Sequence, residues 1–242
     1  MPTLTASGIT IYKCATWTEG ATHGGNISTA VITSSTDQNI FDDVTNSERV
    51  AGDIEYRKIY IRNGNATEWS DVICWIPNNT QALNDEIYIC AGGKSSYQGS
   101  STTIPGVGIF HNGSTTVTGT GTYFLKDLAV GEAVYNVTND SALQALTIDS
   151  IASNTSLELI FGYGGTGGSS KNIAVAPITN IFVNFVQPDT SAHAQRLILG
   201  DLGPAATTNY KAVWIRRNVW TGFANGYTNN YFSLMFQVDG DV

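Results

Sequence analysis

Acidic side chains supply most of the groups in this chain that could do chemistry. They cluster at Asp42-Asp43 with Glu48, at Asp53 and Glu55, at Asp85-Glu86, and at Asp239 and Asp241. Two carboxyl groups facing each other across a cleft can hydrolyse a glycoside, one as acid and the other as base or nucleophile. Several gathered at a loop can hold Ca2+ through oxygen ligands, and Ca2+ is the one cofactor these residue types leave open. The spacing of an EF-hand loop is absent. Asp at turns and helix caps accounts for the same residues without any ligand. The sequence therefore assigns no catalytic residue and no metal ligand.

His23, His111 and His193 stand in loop-like contexts with no ligand spacing between them, which predicts solvated side chains. No Gly-x-Ser-x-Gly elbow or His-Glu-x-x-His is present. The run Gly162-Tyr-Gly-Gly-Thr-Gly-Gly-Ser-Ser-Lys171 resembles a phosphate loop only superficially. Its Lys is not placed as Gly-Lys-Ser/Thr and no helix follows it, so it reads as a flexible loop between strands. The aromatics are better candidates for recognition. Trp17, Trp69, Trp75, Trp214 and Trp220, with 11 Tyr, could line a sugar platform or a protein interface. Trp75 and Trp214 lie in strand-like runs and are expected between sheets, whereas Trp69 and Trp220 flank turns.

Stepping from side chains to scaffold, charged residues make up only 13% of the 242 residues, against roughly 25% in an average domain. Thr, Ser, Asn and Gly replace them, which suits strands and turns and disfavours long exposed helices. A net charge of −8 with twelve scattered Lys and Arg argues against a nucleic-acid partner, with a local basic patch left open. No run is apolar enough to span a membrane, and the opening Met-Pro-Thr-Leu-Thr-Ala-Ser-Gly has no signal-peptide regions, so cytoplasmic synthesis is expected. Cys14, Cys74 and Cys90 cannot all pair in one chain. Buried thiols are expected, with a Cys74–Cys90 bridge or an intermolecular bond through Cys14 left open.

The clearest scaffold lies in residues 41–77, where Glu55-Tyr-Arg-Lys-Ile-Tyr-Ile-Arg62, Asn63-Gly64 and Glu68-Trp-Ser-Asp-Val-Ile-Cys-Trp-Ile-Pro77 read as two strands joined as a hairpin or a short-loop pair. Ile59 and Ile61 share a face with Arg57; Tyr56, Lys58, Tyr60 and Arg62 take the other. Ser47-Glu-Arg-Val is one helical turn, and residues 86–90 form a third strand. Short alternating runs at 107–110, 115–117, 123–128, 133–137, 143–148, 157–161, 173–176 and 181–186 follow, separated by polar turns. Residues 196–199, 211–217 and 231–238 then return to the aromatic-plus-basic character of the early strands. The expected class is all-β, an antiparallel sandwich of jelly-roll or immunoglobulin-like type. Residues 25–105 and 187–242 build one discontinuous sandwich and 106–186 an inserted β unit; a single elaborate sandwich is the alternative. Residues 1–24 read as an N-terminal arm, joined through Thr22-His-Gly-Gly25 and seeking a sheet edge on a neighbour, with completion of its own domain's sheet as the alternative. The expected interface residues are Ile9, Ile11, Tyr12 and Trp17 on the arm, with Trp69 and Trp220.

The run Phe41-Asp-Asp-Val with Ala51-Gly-Asp-Ile-Glu-Tyr-Arg-Lys-Ile-Tyr-Ile-Arg-Asn63 resembles a pattern in structural proteins of tailed-bacteriophage virions. Trp214-Ile-Arg-Arg-Asn-Val219 and Phe232-Ser-Leu-Met-Phe-Gln-Val-Asp-Gly-Asp241 resemble the same pattern. The similarity covers about half of the chain, at its two ends, and departs from the pattern at Trp220, where a Pro follows the Asn-Val pair in the family. It implies a non-enzymatic virion protein working as a symmetric oligomer through repeated interfaces. Size, acidity, the mobile N-terminal arm and the absence of coiled-coil heptads favour a capsid decoration (cement) protein, a trimer seated on the major capsid protein. A tail or baseplate component and a carbohydrate-binding adhesin are the alternatives.

Overall fold

The computed structural model describes residues 8–36, 38–78, 85–93, 96–138, 144–178, 185–188, 196–203, 210–221 and 232–239. Strand makes up 55% and helix 6%, in several antiparallel sheets, so the all-β sandwich class holds. The chain begins with β1 (Ile9–Thr16), β2 (Gly24–Val31), α1 (Asn46–Ala51), β3 (Asp53–Asn63), β4 (Trp69–Asn78) and β5 (Asp85–Gly92). There follow β6 (Thr102–Thr103), β7 (Val107–Phe110), β8 (Thr116–Thr120), α2 (Phe124–Asp127), β9 (Ala133–Asn136), β10 (Leu146–Ser153) and β11 (Ser156–Leu159). The last are β12 (Gly168–Lys171), β13 (Ile173–Val175), β14 (Leu197–Leu202), β15 (Tyr210–Val219) and β16 (Ser233–Asp239). Two compact units result, one of residues 1–19, 27–90 and 185–242, the other of residues 20–26 and 91–184. The sequence had placed the limits of the inserted segment at 106 and 186.

In the first unit a five-stranded sheet runs β2-β1-β3-β15-β5 and a three-stranded sheet runs β14-β4-β16. β3 and β15 pair antiparallel from Asp53↔Val219 to Arg62↔Tyr210. That register puts Ile59, Ile61, Val213 and Ile215 on one face, all fully buried with Ile87 and Ile89 of β5. The opposite face carries Tyr60, Trp214 and Lys58, also buried. The Lys58 ammonium lies 5.4 Å from the Tyr60 ring and 5.5 Å from the Trp214 ring, which offsets part of the cost of burying a cation. α1 opens with a capping box in which Thr45 and Glu48 bond reciprocally. Its Arg49 forms a two-pronged pair with Asp85, at 2.6 and 2.8 Å, with both side chains buried.

Two expectations for this unit are corrected. β3 and β4 are not a hairpin: they lie in different sheets, and the chain crosses between sheets at Asn63-Gly64. The Asn63 side chain makes that crossing rigid, donating to the carbonyls of Thr67 (2.7 Å) and Leu202 (3.1 Å) and accepting from the Asn65 amide at 2.8 Å. Nor is the segment at 9–16 an arm outside the fold. It is β1, paired with β3 from Ile9↔Asn63 to Lys13↔Ile59. A strand unable to satisfy its own backbone groups has taken the edge nearest to hand, on its own chain.

The second unit holds one sheet in the order β12-β7-β8-β11-β10-β9-β13-β6. β12 and β13 are nearly continuous in sequence, yet β12 pairs with β7 and β13 with β9, so one run serves both ends and rolls the sheet over its core. The core contains Phe110, Val117, Phe124, Val134, Ile148, Leu157, Tyr163 and Ile173. Gly108 leaves room for the Ile173 side chain, which a Cβ there would strike. Residues 123–128, expected as a strand, contain a helical turn. Phe124, Asp127 and Leu128 are buried, a spacing of three and four rather than two. The glycine-rich run is not a flexible loop either. Tyr163 is buried, its hydroxyl accepting from Asn136 Nδ2 at 2.9 Å, and the run ends as strand β12. His23 is also buried rather than solvated, in a turn where its carbonyl accepts from the Gln98 amide at 2.8 Å.

Candidate functional site

The densest grouping of ionisable side chains lies at one end of the β3–β15 pair. Glu55 and Arg217 are register partners there, so both project from the same face. Arg57, two residues along β3, projects beside them. A charge placed among Ile59 and Ile61 cannot be buried alone, and the surrounding segments supply what it needs. Arg217 is bonded to the Glu55 carboxylate through both Nε and Nη2. Its Nη1 donates to the Asp42 carbonyl at 2.7 Å, and Nη2 lies 3.4 Å from the Asp42 carboxylate. Arg57 donates to the Ile40 carbonyl at 3.0 Å, pairs with Glu19 at 2.6 Å, and lies 3.8 Å from Glu55. Phe41 completes the group, with the Arg217 and Arg57 guanidiniums 4.8 and 5.3 Å from its ring centre.

Glu19, Asp42 and Glu55 bring carboxylate oxygens within 4.8 Å of one another. This is the oxygen grouping for which Ca2+ was left open and is close to the separation of a retaining carboxylate pair. Here two guanidiniums are bonded to the same oxygens and supply the positive charge. The group is best read as an ion network tying four chain segments together. Burial pushes the Glu55 carboxyl up to about 7, against the pull of Arg217 and Arg57. A proton held near neutral pH is the one chemical property the arrangement adds.

The residues expected at an interface are dispersed. Tyr12 and Trp17 pack against Cys14, Tyr60 and Ala212 inside their own unit. Ile9 and Ile11 are half-buried on β1, Ile11 opposite Ile61. Trp69 is only 2% exposed, so its ring offers no surface, a correction to its reading as an exposed turn aromatic. Trp220 alone is well exposed, at 51%. Cys14, Cys74 and Cys90 are buried thiols with no disulfide among them, and burial pushes the Cys74 thiol well above its ordinary range. The network was partly visible beforehand: Arg57 on the Ile59 face demanded a buried partner, but nothing local pointed to Arg217, which lies 162 residues beyond Glu55. No protein-family model, no curated protein and no solved structure matches the chain.

Proposed function

We propose that this is a non-enzymatic structural protein of a tailed-phage virion, and within that class a capsid decoration protein. It would act as a homo-oligomer, with a trimer favoured, seated on the major capsid protein and strengthening the shell through repeated interfaces. One observation supports this reading most. Two of the runs that carry the resemblance, far apart in sequence, lie side by side as β3 and β15, and Arg217 of the second bonds to Asp42 and Glu55 of the first, while the run from residue 232 supplies β16 of the other sheet. Strand pairing and buried charge pairs between distant segments suit a stiff protein that works through repeated interfaces. A tail or receptor-binding role is the second reading, favoured by the exposed indole of Trp220.

The test is to tag the protein and image virions by electron microscopy. Density or label repeated over the capsid surface supports the decoration role. Label confined to the tail or its tip rejects that role in favour of the second reading, and label on neither rejects the class.

A further inference from the structure

We propose that Trp220, with Glu86 beside it, forms a binding platform for an uncharged saccharide. Trp220 directly follows β15, and its Nε1 donates to Glu86 Oε2 of β5 at 3.1 Å. The same oxygen accepts from the Tyr88 hydroxyl at 2.6 Å. The indole is therefore held at its edge while half of its surface remains open to solvent. Glu86 Oε1 accepts nothing among the described residues and stands ready for a hydroxyl.

The neighbouring side chains narrow the ligand class. Arg216 lies between two rings, its guanidinium carbon 4.5 Å from the centre of Tyr88 and 4.6 Å from that of Phe185. An aromatic cage that could take an external cation is already filled by this arginine. Arg216 and Glu86 thus flank Tyr88 with opposite charges, so the patch favours neither anions nor cations. Ile54, opposite Asn218 in the β3–β15 register, adds an exposed apolar neighbour at the same end of the pair. A half-open indole beside a free carboxylate oxygen suits a ligand with a C–H face and a rim of hydroxyls. That is the surface of a pyranose ring. The inference does not depend on where the protein sits in a virion, so imaging leaves it untouched.

The test uses the full chain labelled with 5-fluorotryptophan, whose fluorine spectrum shows each of the five indoles separately. Trp220→Phe assigns the relevant resonance. Glucose, galactose, mannose, N-acetylglucosamine and their short oligomers are then titrated to tens of millimolar. The expected result is a saturable shift of the Trp220 resonance with at least one sugar series, the other four staying in place. Glu86→Ala, shown to be folded by those four resonances, should weaken the response by about tenfold or more. A Trp220 resonance unmoved by every sugar overturns the proposal, as does a shift shared by all five indoles. An undiminished response in Glu86→Ala removes Glu86 from the site.

Discussion

Arg217 and Glu55 lie directly opposite each other on β15 and β3 and form a buried, doubly bonded ion pair. Removing one partner of such a pair leaves the other charge buried and uncompensated, whereas replacing both with apolar groups of similar volume can be neutral. Arg217→Met should therefore destabilise the first unit by about 3–5 kcal/mol, and Arg217→Met with Glu55→Leu should recover much of the loss. Urea midpoints of the wild type and the two variants decide the point.

The raised pKa of Glu55 makes a second, signed prediction. Between its ordinary value of 4.5 and about 7 the folded protein binds a proton at this site that the unfolded chain releases. Its contribution to stability is present below 4.5 and is lost as pH rises through 7. The wild type should lose stability relative to Glu55→Gln between pH 5 and 8, by about 2 kcal/mol in all. Glu19, Asp42, Arg57 and Arg217 remain in both proteins, so the difference isolates Glu55. Parallel curves would mean that the arginines hold the carboxyl ionised throughout.

At Ile215, fully buried opposite Arg57 in the β3–β15 register, truncation to Ala should cost about 2–5 kcal/mol. Denaturant midpoints followed by the fluorescence of neighbouring Trp214 would report it. An unchanged midpoint would mean that β15 does not pack in the core of its unit.

Deleting residues 2–17 removes β1, the Ile11–Ile61 neighbours and the Tyr12 and Trp17 packing around Cys14. The melting temperature of the first unit should fall by more than about 5 °C. A truncated chain melting like the wild type would restore the arm to an assembly role.

How far the fold was legible follows from the range of the forces involved. Alternation at 107–110 foretold β7, because burial on one face writes a period of two into neighbouring residues, whereas β15 was foretold by the aromatic-plus-basic run 211–217, whose Ala212 to Ile215 are buried on both faces. Pairing is another matter. Asn63-Gly64 carries a local hairpin signal, but which sheet β4 joins is decided by β14 and β16, more than a hundred residues away. The helical turn at Phe124 was hidden for a related reason, since in a six-residue apolar run spacings of two and of three-to-four are hard to tell apart. The site showed the same division. Arg57 announced a need, and only the folded chain reveals Glu19 and the Ile40 carbonyl as what meets it.

The placement of β15 also sets an order of events during synthesis. Every strand partner in the sheet of the second unit comes from residues 102–175, so that sheet can close as soon as its span has left the ribosome. β3 is made earlier but must wait for β15 on one side until the whole of that span has been translated. Pairings this distant are slow, and an unpaired central strand is exposed in the interval. Where many copies are made at once, a waiting β3 edge is open to the β15 of a neighbouring chain until its own, favoured by its tether, arrives. The same long-range pairing that stiffens the finished molecule therefore makes strand exchange between nascent copies its characteristic folding hazard.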